Sequence, residues 1–144
     1  KVGEDYTDIT AELRVITQAI VDILNLTVEA FETENSALAE RVEPLEQVVD
    51  SLKTELKSRH IRRLQEGRCT IELGFVLTDL LTNDERVSDH CSNVAVTVIQ
   101  IKDSALEAHG YLNQVKSEGG GTYTQAYNEY MSQYQLPQSG AAPG

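Results

Sequence analysis

Proline and glycine are scarce in this chain, 3 and 9 among 144 residues, and most of them fall in three short stretches. The intervals between those stretches are long and unbroken, which favours an all-helical fold. Cysteine occurs twice, as Cys69 and Cys91. A small disulfide scaffold needs a denser, paired set, so two thiols without metal-ligand spacing suit a reducing compartment. Cys91 reads best as a small buried apolar side chain. Cations are outnumbered, 12 Lys and Arg against 23 Asp and Glu, giving a net charge of −11 and a pI near 4.6. Such a chain repels nucleic acid and anionic lipid, so no nucleic-acid partner is expected.

Long apolar runs are missing too. Nothing approaches the roughly 20 residues of a membrane span, and no signal peptide is visible; the fragment reads as soluble. The chain starts at Lys1 and its one methionine is Met131, which predicts a piece excised from a longer protein. The GlyGlyGly at 119–121 follows no strand and lacks the Lys-Ser/Thr ending of a phosphate-binding loop. No Gly-x-Ser-x-Gly elbow appears. With no catalytic constellation in sight, an enzyme is not expected.

What is present is helical periodicity. Ile9, Leu13, Ile16, Ile20, Ile23, Thr27 and Phe31 recur at alternating spacings of 4 and 3, a core-facing stripe opened by Thr7 or Asp8 as cap. Asn35 or Ser36 caps the next helix, whose stripe is Leu38, Val42, Leu45, Val49, Leu52 and Leu56. Pro44 falls inside it and predicts a kink near residue 40. Gly67 is placed to end this helix and Thr70 to cap the third. The third stripe reads Leu73, Leu77, Leu80, Asp84, Val87, Cys91, Val94, Val98 and Ile101, with a continuation through Ala105, Ala108, Leu112 and Val115. A short helix then carries Tyr123, Tyr127, Tyr130 and Tyr134 on one face, where they are expected to pack on the bundle. The economical architecture is an antiparallel three-helix bundle over 1–116, a linker and C-terminal helix over 117–136, and a disordered tail over 137–144.

Acids break the pattern of a merely soluble bundle. Glu46 with Asp50 and Glu85 with Asp89 are each four apart, on one helix face, where like charges repel by roughly 0.2–0.5 kcal/mol. No cation stands at the helical-neighbour positions of Glu46 or Glu85. In an antiparallel hairpin the numbers of facing residues have a nearly constant sum; Glu46 with Asp89 and Asp50 with Glu85 both give 135, centred on the turn at Gly67–Arg68. The two couples therefore lie at one height, about 30 Å from the turn. Four carboxylates at one level call for counter-charge. A hard cation would supply it, iron, magnesium, manganese or calcium rather than zinc. On this reading Glu85→Gln relieves repulsion in the metal-free chain. The alternative is that both couples simply face water. His90 beside a carboxylate is a weaker candidate and reads more readily as a structural residue. The segment KTELKSRHIRRLQEGR, 53–68, holds six of the twelve cations and reads as a solvated helix end.

Residues 42–96, and within them VEPLEQVVD, SRHIRRLQEG, LGFVLTDLLTN and ERVSDHCSNVA, resemble the PhoU-like domain at the C-terminus of bacterial sodium/phosphate cotransporter family proteins. The resemblance implies an all-helical PhoU-like bundle on the cytoplasmic side of the inner membrane, joined to a transporter that moves phosphate with sodium. It also implies a regulatory role and metal binding through the acidic motifs, with Glu46, Asp50, Glu85 and Asp89 as ligands. The chain departs from that family in two ways. It holds one three-helix repeat where full PhoU proteins hold two, so a homodimer would complete the set. Asp84 stands where an apolar residue is expected, which adds it, with His90, to the candidate ligands. The competing expectation is a structural dimerisation or transporter-contact module with no metal.

Overall fold

The computed structural model describes residues 2–102 and 122–138, with side chains from Asp8 onward. The expected continuation of the third helix past 102, the 117–121 linker and residues 139–144 lie outside the described residues. Regular structure among them is all helical: α1 (Val2–Thr33), α2 (Ser36–Ala39), α3 (Val42–Gln65), α4 (Ile71–Lys102) and α5 (Thr122–Gln133). α1, α3 and α4 pack on one another as a three-helix bundle, and α5 lies against α3.

Local chemistry explains most boundaries. α1 begins ahead of Thr7 and Asp8, the caps expected for it, and runs through both. It ends where Glu34 adopts a left-handed φ of 50°, letting Asn35 N–H reach back to the Ala30 carbonyl at 3.0 Å. The Asn35 side chain then accepts from Leu38 N–H at 3.1 Å and caps α2. Pro44 does not kink a continuous helix. The chain breaks at Glu40–Arg41 and restarts, so Pro44 occupies the first turn of α3, where its missing N–H has no helical partner to lose. At the other end Gly67 (φ 71°) makes the left-handed cap, with Arg68 N–H on Arg63 O at 2.8 Å and Gly67 N–H on Leu64 O at 3.1 Å. Thr70 Oγ1 accepts from Leu73 N–H at 3.1 Å and opens α4.

The core is built from the apolar stripes, with two revisions. In α1, Ile9, Ile16, Ile20, Ile23 and Thr27 are buried as expected, but Phe31 is 57% exposed. In α4 the buried face is Gly74, Leu77, Leu81, Ser88, Cys91, Ala95, Val98 and Ile99. Leu80, Val94 and Ile101, expected inside, are exposed. α4 carries apolar residues over more than one face, and the core takes the face with small residues because Gly74, Ser88 and Ala95 allow close approach of neighbouring helices. Every α3 position of the predicted stripe is buried. Each such Leu or Val contributes about 1.5–3 kcal/mol.

Polar contacts fix the directions of the helices. Glu12, buried in α1, accepts from Arg59 Nη1 at 2.8 Å and Arg63 Nη2 at 2.6 Å near the end of α3, so α1 and α3 run antiparallel. The α3–α4 hairpin reverses the chain again, with Lys53 on Glu85 and Ser92 on Glu43, so α1 and α4 run parallel, Thr27 lying beside the Cys91 thiol. The tyrosine helix packs as predicted. Tyr130 and Tyr134 are buried, the Tyr130 hydroxyl accepts from Arg41 Nε at 3.0 Å, and the Tyr134 hydroxyl donates to Asp22. Beyond α5 the Pro137 carbonyl accepts from Arg59 Nη1 at 2.7 Å.

Candidate functional site

The α3–α4 hairpin brings the two acidic couples together at one height, as the constant-sum register requires. Glu46 on α3 and Asp89 on α4 share a hydrogen bond between their carboxyl groups. One level along, Lys53 Nζ sits between Asp50, at 3.2 Å, and Glu85. The two ends of this layer therefore differ in charge balance. Asp50 and Glu85 share one ammonium. Glu46 and Asp89 share a proton.

Glu46 shows the consequence. Half-burial, then the charges of Glu43, Asp89 and Asp50, push its carboxyl up to about 7. A carboxylic acid that keeps its proton to near neutrality donates to Asp89, while Gln47 Nε2 donates to the Glu46 Oε1 at 3.0 Å. Lys53 is held in its charged form: its hydrogen bond to Glu85 raises its pKa above the ordinary lysine value. The cation for Glu85 thus comes from across the hairpin, where neighbour positions within its own helix contain none.

Three further residues belong to the layer and were not assigned to it from the sequence. Glu43 Oε2 accepts from Ser92 Oγ at 2.7 Å. The numbers 43 and 92 obey the same sum as the acidic couples, so this contact follows from the same register. Tyr123 reaches the layer from α5; burial and the charges of Glu43 and Glu46 push its hydroxyl up to about 12. No sequence signal places Tyr123 there, because the segment joining α4 to α5 sets no register.

Asp84 and His90 are not brought into the layer. Each is one residue from a layer acid and so lies about 100° round α4 from it. Asp84 is half-buried, its carboxyl raised by burial alone. His90 is exposed. Among the described residues no three His, Cys, Asp or Glu side chains converge closely enough to hold a metal ion. The donor chemistry of the layer is all oxygen, which suits a hard cation, but the arrangement is two couples rather than a closed cage.

The basic segment is largely consumed internally: Arg59 and Arg63 hold Glu12, Arg68 holds Glu66, and Lys53 joins the acidic layer. Beside it lies a contact invisible in the sequence. His60, buried and with its pKa lowered by desolvation and by Arg63, places Nδ1 3.4 Å from Cys69 Sγ. Its Nε2 has no hydrogen-bond partner among the described residues and sits under Gly74. This imidazole pins the α3–α4 turn.

The fold and the layer define a class of all-helical domain, a three-helix bundle whose α3–α4 hairpin carries facing Glu-x-x-x-Asp couples. The model of the PhoU domain family matches residues 13–98, more than half of the chain, and the chain belongs to that family. It is similar to the phosphate-specific transport system accessory protein PhoU homolog 1 of Thermotoga maritima, 26% identical over 110 residues, which is 76% of this chain and 47% of that protein. The chain thus spans about half the length of the curated relative it matches. No solved structure matches it significantly. Among the described residues no helix is long and apolar enough to cross a membrane.

Proposed function

We propose that this chain is a non-enzymatic regulatory domain of a phosphate-transport system that acts on the cytoplasmic side of the inner membrane. Its partner is the membrane portion of a sodium-dependent phosphate transporter, carried by the same full-length protein, and two copies of the domain pair. In this reading Glu46, Asp50, Glu85 and Asp89 take up a hard cation, iron, magnesium, manganese or calcium. The cation replaces the proton of Glu46 and the ammonium of Lys53.

One observation supports the cation most directly: Glu46 and Asp89 face each other with the charges of Glu43 and Asp50 close by. A carboxyl pair that holds a proton to about neutral pH is where a cation relieves the most repulsion. The second reading, a structural contact module without metal, draws on Lys53, whose ammonium already neutralises half of the layer. Elemental analysis of the purified chain, followed by thermal melts with magnesium, calcium, manganese and iron, separates the two. Stoichiometric metal and a stabilisation lost in both Glu46→Gln and Asp89→Asn supports the site. Metal-free protein with equal melts in all salts supports the structural module.

A further inference from the structure

Two buried side-chain atoms lack a hydrogen-bond partner among the described residues, His60 Nε2 and Arg63 Nη1. Arg63 is accounted for by its other nitrogen, which holds Glu12 at 2.6 Å. His60 is not. It is 7% exposed, and nothing among the described residues satisfies its Nε2. Its ring is aimed at the α3–α4 turn, with Nδ1 3.4 Å from Cys69 Sγ. Burying an imidazole with one nitrogen unpaired costs stability, and a feature of that kind calls for a chemical reason. Cys69 supplies one: a partly exposed thiol in contact with a buried base.

The missing bond at Nε2 matters. In a neutral imidazole, the bond made by one nitrogen normally fixes which nitrogen carries the proton. Nε2 packs against Gly74 without a hydrogen bond, so neither tautomer is locked, and Nδ1 is able to take a proton from sulfur and give it back. Desolvation and the charge of Arg63 lower the pKa of the ring and keep it neutral. Cys69 sits one residue ahead of Thr70, the cap of α4, where the helix end favours negative charge on sulfur. The charged neighbours are Arg63 on α3, Arg68 and Glu66 in the turn, Asp8 on α1, which reaches Arg68, and Glu72 in the first turn of α4. Besides His60, Sγ has the Thr70 carbonyl 3.7 Å away. Cys91 is the opposite case: it is 4% exposed, and burial pushes its thiol up.

We propose that Cys69 is a modification site for small uncharged hydroperoxides, with His60 as the proton relay. His60 Nδ1 takes the thiol proton as sulfur attacks one peroxide oxygen. The S–O bond forms, the O–O bond breaks, and the relay returns the proton to the leaving oxygen. The thiol is oxidised to a sulfenic acid, the hydroperoxide is reduced to water or an alcohol, and no net charge is left in the site. Charge selects this class of oxidant. The chain carries −11, which disfavours an anionic disulfide such as oxidised glutathione and leaves a neutral peroxide unaffected. No second thiol of the same chain intervenes, because Cys91 lies about 33 Å away along α4. The product is therefore a sulfenic acid or its cap by an external thiol. The proposal stands apart from the cation and the transporter, and its failure leaves both untouched.

The test adds hydrogen peroxide to the folded 144-residue chain at about pH 7, traps sulfenic acid with dimedone and assigns the label by peptide mass mapping. Cys69 is expected to carry the label, and Cys91 to stay unlabelled until urea unfolds the chain. Folded Cys69 is expected to react at least about tenfold faster than the same cysteine in urea at the same pH. His60→Gln, neutral and of similar size but unable to relay a proton, is expected to remove that advantage. Continued protection of Cys91 shows that the variant is folded. If the variant unfolds, the parent decides alone: between about pH 6 and about pH 8 its rate is expected to rise by much less than the roughly tenfold per pH unit of an ordinary thiol. A folded Cys69 that reacts no faster than in urea, or whose rate follows the ordinary thiol slope, overturns the proposal. A folded His60→Gln chain that keeps the parent's rate does the same, since a mere packing role for His60 predicts that result. Oxidised glutathione that modifies Cys69 as fast as peroxide does overturns the choice of oxidant.

Discussion

Replacing Glu46 by glutamine isolates the electrostatic state of the acidic layer. Glutamine keeps the shape of the protonated carboxyl and can still donate to Asp89. It cannot ionise. In the folded chain the Glu46 carboxyl titrates at about 7, against 4.5 for an ordinary glutamate. A folded-state value raised for an acid means the native state holds the proton more tightly than the unfolded chain does. The associated stability is fully present below about pH 4.5 and is lost as pH rises through about 7. A displacement of that size sets a ceiling of about 3 kcal/mol. Water reaches this half-buried group, so about 1–2 kcal/mol is the expected loss. In chelator, Glu46→Gln should therefore match the parent at about pH 5 and exceed it by about 1–2 kcal/mol at about pH 8. That corresponds to a Tm higher by about 3–8 °C for a chain of this length. Urea denaturation at intervals across that pH range reads the difference. Parallel profiles for parent and variant, or a glutamine variant less stable at the alkaline end, would refute the shared-proton account of Glu46 and Asp89.

Glu85→Gln should behave oppositely. Lys53 neutralises Glu85 across the hairpin, so the variant should lose about 0.5–1 kcal/mol in metal-free urea melts rather than gain stability from relieved repulsion. Glu12→Gln leaves Arg59 and the buried Arg63 without their shared carboxylate and should cost about 3 kcal/mol by the same assay. Gly74→Ala would put a methyl group 2.4 Å from His60 Nε2, and His60 cannot swing aside while it is buried against Cys69. A loss of about 1–3 kcal/mol is expected, and His60→Ala in the same chain should recover part of it in a double-mutant cycle.

The acidic layer was legible in the sequence because one rule, the constant sum across a hairpin, fixes which α3 residue meets which α4 residue. Gly67 as cap and Thr70 as the next start are local signals, and they pinned that sum. The same rule contains the Glu43–Ser92 contact. Lys53 was harder to read: its long side chain reaches Glu85 across the hairpin, while a neighbour search within each helix sees only Asp50. The α4 core face was misjudged for a different reason. Leu80 and Val94 are as apolar as Leu77 and Leu81, and periodicity alone does not choose between two apolar faces of one helix. Close packing chooses, through Gly74, Ser88 and Ala95. The pin between His60 and Cys69 depends on how the chain turns after Gly67, which spacing along a helix does not encode. Pro44 marked a discontinuity in the right place, but the chain resolved it by restarting the helix.

Lys53 has a consequence for selectivity. An ammonium tethered beside two carboxylates behaves as a competitor at high local concentration, present in every molecule and impossible to wash out. Any ion entering between Asp50 and Glu85 must first evict it. A singly charged ion gains no more from those carboxylates than the lysine already does, so the potassium and sodium of a cell make poor rivals. An ion of higher charge gains about twice the attraction and can displace the side chain. On the proposed cation reading, the lysine sets a threshold that monovalent ions do not pass and that an ion of higher charge does.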